Sequence, residues 1–87
     1  TYCLGGNNET SNLEIARRLI AALSRDESAI EYVNDRPGHD FRYAIDSSKA
    51  RRELGWKAEV SFETGLKETV QWYTDNEAWW RPLLAKL

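Results

Sequence analysis

Methionine is missing from the 87 residues, and cysteine and histidine occur once each. The chain opens on Thr1, so it is expected to be a processed product or, more in keeping with its content, a piece of a longer protein. A lone Cys3 cannot close an internal disulfide, which points to a reducing, cytoplasmic setting. One His and one Cys, without ligand-type spacing, make a poor metal site. No apolar run approaches the ~20 residues that a membrane-spanning helix needs, and no signal-peptide core is present. Positive charge is scarce too. The net charge is −2, and the only basic concentrations are Arg17-Arg18 and Lys49 with Arg51 and Arg52. Both fall on predicted helices beside carboxylates, where solvated helix faces explain them. Phosphate neutralisation supplies most nucleic-acid affinity, so no nucleic-acid partner is expected, and no membrane partner either.

What is present is ordinary globular material, 41% hydrophobic and 30% charged, which argues against disorder. The aromatic load is heavy, with four Trp, four Tyr and two Phe. A chain of this length buries only about 60–65% of the surface it exposes when unfolded, so a partner domain would help it stand.

The pattern predicts an α+β architecture of three to four helices and a few short strands over residues 1–87. Tyr2-Cys3-Leu4, cut off by Gly5-Gly6, is expected to be a strand ending in a turn. Ser11-Asn12-Leu13-Glu14 matches a capping box. Leu13, Ala16, Ile20 and Leu23 follow at helical spacing with Ile15 and Leu19 alongside, predicting a helix from about 12 to 24. Ile30 to Val33 and Phe41 to Ile45 alternate and are rich in β-formers, so two more strands are expected around the Pro37-Gly38 turn. Asp46, Ser47 or Ser48 can cap a helix running to about Leu54, with Gly55 as its stop. Ser61 precedes a helix over about 62 to 75, with Phe62, Leu66, Thr69, Val70 and Tyr73 as its buried stripe. Asn76 breaks it, and Glu77 to Leu87 predicts a last helix kinked at Pro82. The strands are too few for a sheet of their own and would pair better with strands from a longer chain.

Two clusters carry chemistry. Asp35-Arg36-Pro37-Gly38-His39-Asp40 offers a guanidinium, an imidazole and a glycine that opens the backbone, on a proline-stiffened loop. That set suits a diphosphate or another anion. The alternative is a surface turn whose Arg and Asp side chains pair with each other. Gly5-Gly6-Asn7-Asn8-Glu9 lies between a predicted strand and a helix N-terminus, a place that favours anions. It does not match the dinucleotide fingerprint, and a plain strand-to-helix turn is the alternative. His39 with Asp40 lacks a recognisable nucleophile, so no catalytic dyad is assigned. Trp72, Trp79 and Trp80 are expected to pack against the rest of a larger protein, with sugar or base stacking as the alternative. Trp79 and Trp80 cannot share one helical face.

These residues resemble one family. "YCLGGNNE" from Tyr2 to Glu9 is similar to the "YNIGGxNE" turn of dTDP-glucose 4,6-dehydratases. "YVNDRPGHDFRYAID" from Tyr32 to Asp46 closely resembles that family's "YVxDRPGHDxRYAID". "DSSKARRELGW" resembles the D-x-x-K-x₄-L-G-W motif of extended short-chain dehydrogenases/reductases, and "FETGLKETVQWY" and "NEAWWRPL" are similar too. The "DRPGHD" stretch is the most specific element, because the other motifs run through the superfamily. Cys3 departs from the family's Asn.

The resemblance implies the C-terminal lobe of a lyase of deoxysugar (rhamnose-type) biosynthesis. It implies substrate contacts from Asn8, Asp35, Arg36, Pro37, Gly38 and His39, with Arg36 as the diphosphate clamp. It implies NAD bound by a Rossmann domain outside this chain, a dTDP-sugar substrate and a homodimer in the whole enzyme. Stepping four residues on from each Tyr gives Gly6, Arg36, Ser47 and Glu77, never Lys, so no Tyr-x-x-x-Lys pair and no catalytic residue is expected here. The competing expectations are the substrate lobe of a related sugar-nucleotide epimerase, dehydratase or decarboxylase, or a non-catalytic anion-binding or interaction domain.

Overall fold

Side-chain caps set where the chain turns helical in this computed structural model, which describes residues 1–87. Ser11 accepts the Glu14 amide at 3.2 Å and opens α1, Asn12–Ala22. Only half of the expected capping box forms, because the Glu14 carboxylate turns to Arg18 Nη2 at 2.8 Å. Asp26 caps a single 3₁₀ turn, Glu27–Ala29. The Asp46 carboxylate accepts the Ser48 amide at 2.9 Å at the head of α2, Ser48–Leu54. Gly55 ends α2 in the left-handed conformation, φ 65°. Ser61 accepts the Thr64 amide at 3.2 Å and starts α3, Phe62–Asp75. Asn76 closes α3 with its backbone and side-chain N–H groups on Trp72 C=O, and α4, Glu77–Leu84, follows at once with Pro82 inside it.

α1 packs against α3, and α3 against α4. The Arg18 guanidinium lies 5.7 Å from the Phe62 ring centre across the first contact. Trp80 donates its indole N–H to Tyr73 C=O at 2.7 Å across the second. Trp79 meets the Trp72 ring edge-on, centres 5.5 Å apart, and stays 64% exposed. Along α3, Phe62, Leu66 and Val70 are half-buried, but Thr69 and Tyr73 are exposed, so the buried stripe is narrower than expected.

The expected strands are absent. Tyr2–Leu4, Ile30–Val33 and Phe41–Ile45 form no strand, and no main-chain hydrogen bond joins one to another. The Ile30 amide is used to close the 3₁₀ turn, and Tyr32, Val33, Phe41 and Tyr43 are largely exposed. Alternation marks a segment fit for a sheet, but a strand exists only where a neighbour supplies the ladder. The α+β expectation is therefore corrected to a helical chain carrying unpaired extended stretches.

Side chains nonetheless lay the N-terminal segment antiparallel to residues 42–49. Lys49 Nζ donates to Thr1 C=O at 3.1 Å and sits 4.9 Å from the Tyr2 ring centre. Ser47 Oγ donates to Gly5 C=O at 3.3 Å. Gly5 meets Ile45 so closely that a Cβ there would fall 2.9 Å from Ile45 Cβ. Nearest the loop, Arg42 Nε donates to Glu9 Oε2 at 3.0 Å. These four contacts follow one register without a backbone ladder.

Only Ser47 and Ala50 are fully buried, both where this pairing meets α2. The accessible surface is 7904 Å², where a folded monomer of this size exposes about 5,300 Å². The radius of gyration is 16.6 Å against about 12 Å for a self-contained domain of this length. Apolar side chains therefore face outward over a broad area, as they do where another body covers them.

Gly5 separates the pairing from general stability. Gly5→Ala is expected to push the two segments apart and cost about 1–3 kcal/mol by denaturant unfolding. Gly6→Ala, with open space around it, is expected to be near neutral. Equal effects at the two positions would contradict the packing described.

Candidate functional site

The segment Asp35–His39 folds on itself with little help from the rest of the chain. Pro37 fixes its own φ, and Gly38 supplies a left-handed φ of 75°. The His39 amide then reaches Arg36 C=O at 3.3 Å. Proline followed by a positive-φ glycine inside an i to i+3 hydrogen bond is the pattern of a type II turn. Arg36 and His39 occupy the two ends of that turn and so are brought side by side.

Asp35 organises the turn from its edge. Its Oδ1 accepts the Arg36 amide at 2.9 Å and meets His39 Nδ1 at 2.6 Å. A carboxylate can take that second contact only from a protonated Nδ1, which leaves Nε2 as the outward nitrogen. The hydrogen bond from His39 holds the Asp35 carboxyl below the usual carboxylate range, assisted by the Arg36 amide. Asp40 is engaged separately: it accepts the Tyr43 hydroxyl, which raises the Tyr43 pKa. A His39–Asp40 dyad therefore does not form.

The Arg36 guanidinium is exposed and makes no ion pair or hydrogen bond within the chain. The alternative of a turn closed by an Arg–Asp pair is not what forms, because Asp35 binds His39 instead. The turn therefore offers phosphate oxygens a guanidinium fork, joined by His39 Nε2 as a second donor only when the imidazole is protonated.

Asn8 sits on the neighbouring segment. Asn7 takes a left-handed φ of 53°, and Asn8 Nδ2 donates to Thr10 Oγ1 at 2.8 Å. Asn8 lines an open hollow of about 300 Å³ together with Gly5, Gly6, Glu9 and Tyr43–Ile45. None of residues 35–39 lines that hollow, so Asn8 and the turn do not share one pocket within this chain. Glu9, named above only as the end of the Gly5–Glu9 cluster, pairs with Arg42, and Tyr43 lines the hollow; neither Arg42 nor Tyr43 was singled out from the sequence. Glu9 and Arg42 lie inside the two most family-like stretches, but their partnership across the chain shows only in three dimensions.

Against known proteins, residues 1–69 match the family model described as GDP-mannose 4,6 dehydratase. The chain is 46% identical to the dTDP-glucose 4,6-dehydratase of Neisseria meningitidis serogroup B (strain ATCC BAA-335 / MC58), an alignment spanning 97% of this chain and 27% of that protein. It is 49% identical to the dTDP-glucose 4,6-dehydratase of Streptomyces niveus, over 94% of this chain and 24% of that protein. Among solved structures it is similar to the dTDP-glucose 4,6-dehydratase of Bacillus anthracis str. Ames in complex with NAD. The TM-score there is 0.87 and the identity 50%, over 94% of this chain and 26% of that one. The chain thus spans about a quarter of the length of the relatives it matches.

The Asp35–His39 contact gives a pH signature. A carboxyl whose folded pKa is depressed adds stability above its unfolded pKa and loses it as pH falls through the folded value. The Asp35 carboxyl carbon, followed by NMR, is expected to titrate below 3.8, and His39→Ala is expected to move that midpoint up. A midpoint that His39→Ala leaves in place would contradict the contact.

Proposed function

The chain belongs to the GDP-mannose 4,6-dehydratase family, and from that premise we propose that it is the C-terminal, sugar-nucleotide-binding lobe of a dTDP-glucose 4,6-dehydratase. The observation that carries the reading is the free Arg36 guanidinium, set beside His39 by the Pro37-Gly38 turn. The family model is named for a GDP-sugar enzyme. The "DRPGHD" stretch and the relatives at 46–49% identity support the dTDP-glucose branch instead.

In this reading all of residues 1–87 serve as one lobe that closes over the substrate. Arg36 donates its fork to the diphosphate of dTDP-glucose. His39 presents Nε2 to the same group and, when protonated, donates from it, with Asp35 balancing the charge. Pro37 and Gly38 keep the backbone close to the ligand. Asn8 donates and accepts hydrogen bonds at its own hollow. Ground-state and transition-state binding of the diphosphate are equal, so these contacts hold and orient the substrate without entering the chemistry.

The whole enzyme converts dTDP-glucose to dTDP-4-keto-6-deoxyglucose. NAD supplies reversible hydride acceptance for that conversion. The residues of this chain do not fit NAD: no glycine stands two or five residues beyond Gly5 or Gly6 as a dinucleotide cradle needs, and the hollow beside them is only about 300 Å³. The cofactor and the acid, base and Tyr-Lys groups are assigned to the remaining three quarters of the protein, which would also cover the exposed apolar faces. A homodimer in the cytoplasm completes the proposal, and no helix here is long and apolar enough to cross a membrane.

In the full-length enzyme, Arg36→Ala is expected to raise KM for dTDP-glucose about 10- to 100-fold, the worth of a charge-assisted hydrogen bond. The turnover number should change far less, because uniform binding is what is lost. Arg36→Lys should recover part of the affinity but not the bidentate share. An unchanged KM in Arg36→Ala would refute the proposed clamp.

A further inference from the structure

We propose that Glu9 and Arg42 are positioning residues whose ion pair holds the Asn8 segment in register with the Arg36–His39 turn, so that both stations reach one sugar-nucleotide ligand. The inference rests on the function proposed above and assigns the two residues a role as a tie between segments, although Glu9 also lines the Asn8 hollow.

Neither station has a helix or strand beneath it. Asn8 lies on the approach to α1, and the Arg36–His39 turn lies on the long stretch between the 3₁₀ turn and α2. Such backbone needs an external tie to hold sub-ångström alignment with a second segment. The other ties between the two segments, Gly5 on Ile45, Ser47 on Gly5 and Lys49 on Thr1, all lie at the end away from the turn. Glu9–Arg42 is the side-chain tie nearest to it. Glu9 adjoins Asn8 in the chain, and Arg42 follows His39 closely.

The chemistry of the pair also suits positioning. Arg42 presents both Nε and Nη2 to the single oxygen Glu9 Oε2, which fixes the guanidinium plane as well as its distance. A lysine would fix distance alone. Tyr43, next to Arg42, lines the same hollow as Asn8, so a shift at Arg42 is passed directly to the Asn8 station. Both side chains are more than half exposed, and exposed ion pairs contribute little to stability. Loss of the pair should therefore appear in substrate affinity well before it appears in the melting temperature.

The test uses the full-length enzyme and dTDP-glucose, with KM, turnover number and melting temperature measured for each variant. Glu9→Ala and Arg42→Ala are each expected to raise KM about 3- to 30-fold, the range of coupling between residues in one network. Turnover and melting temperature should change little. The charge-swapped double variant, Glu9→Arg with Arg42→Glu, is expected to recover most of the affinity. Glu9→Gln keeps size and an acceptor oxygen, so it should lose less, and it stands in if Glu9→Ala fails to fold. Singles that raise KM without recovery in the swap would mean that one residue contacts the ligand itself, overturning the positioning role. If Arg36→Ala raises KM and the Glu9 and Arg42 variants do not, this inference fails while the proposed site survives. If Arg36→Ala has no effect either, the site reading fails first and takes this one with it.

Discussion

A single backbone hydrogen bond, from the His39 amide to Arg36 C=O across Pro37 and a left-handed Gly38, decides what this chain can hold. It places a guanidinium and an imidazole at the two ends of one tight turn. Asp35 then binds the imidazole rather than the guanidinium, so the turn keeps one unpaired cation while anchoring its partner. Had Asp35 closed on Arg36, the segment would be a self-neutralised surface loop. Residue types alone permit either outcome, and the hydrogen-bond geometry selects the first.

The remainder of the structure makes sense around that turn. Helices α1 and α3 pack without a single fully buried side chain, and the segment that carries the turn has no ladder partner. The chain exposes more surface than a self-contained monomer of its size, and it spans about a quarter of the length of the relatives it matches. Trp79 and the Phe41–Tyr43–Ile45 row are part of that exposed surface. What the chain does complete by itself is local: caps, turns and a side-chain zipper that lays the Asn8 segment beside the stretch after the turn.

The helices were legible in the sequence because their signals are local. Ser11, Ser61, Gly55 and Asn76 end or begin helices where their side chains or backbone freedom put them, within a residue or two. The strands were not, because alternation in Ile30–Val33 and Phe41–Ile45 records a preference that needs a neighbour to be realised. In the site, Arg36, Gly38 and His39 could be named from their types and order. The Asp35–His39 and Asp40–Tyr43 pairings could not, since Asp40 adjoins His39 in the chain while the carboxylate that binds it lies four residues back. Glu9–Arg42 was invisible for a different reason: its members are far apart in sequence and each has nearer charged neighbours.

The central claim is that Arg36 and His39 together grip a diphosphate. A crystal structure of the full-length enzyme with dTDP bound tests it most directly. The account predicts diphosphate oxygens within about 3.2 Å of the Arg36 guanidinium and of His39 Nε2, with Asp35 still on Nδ1. A diphosphate bound elsewhere, with Arg36 in solvent or turned onto Asp35, would contradict it.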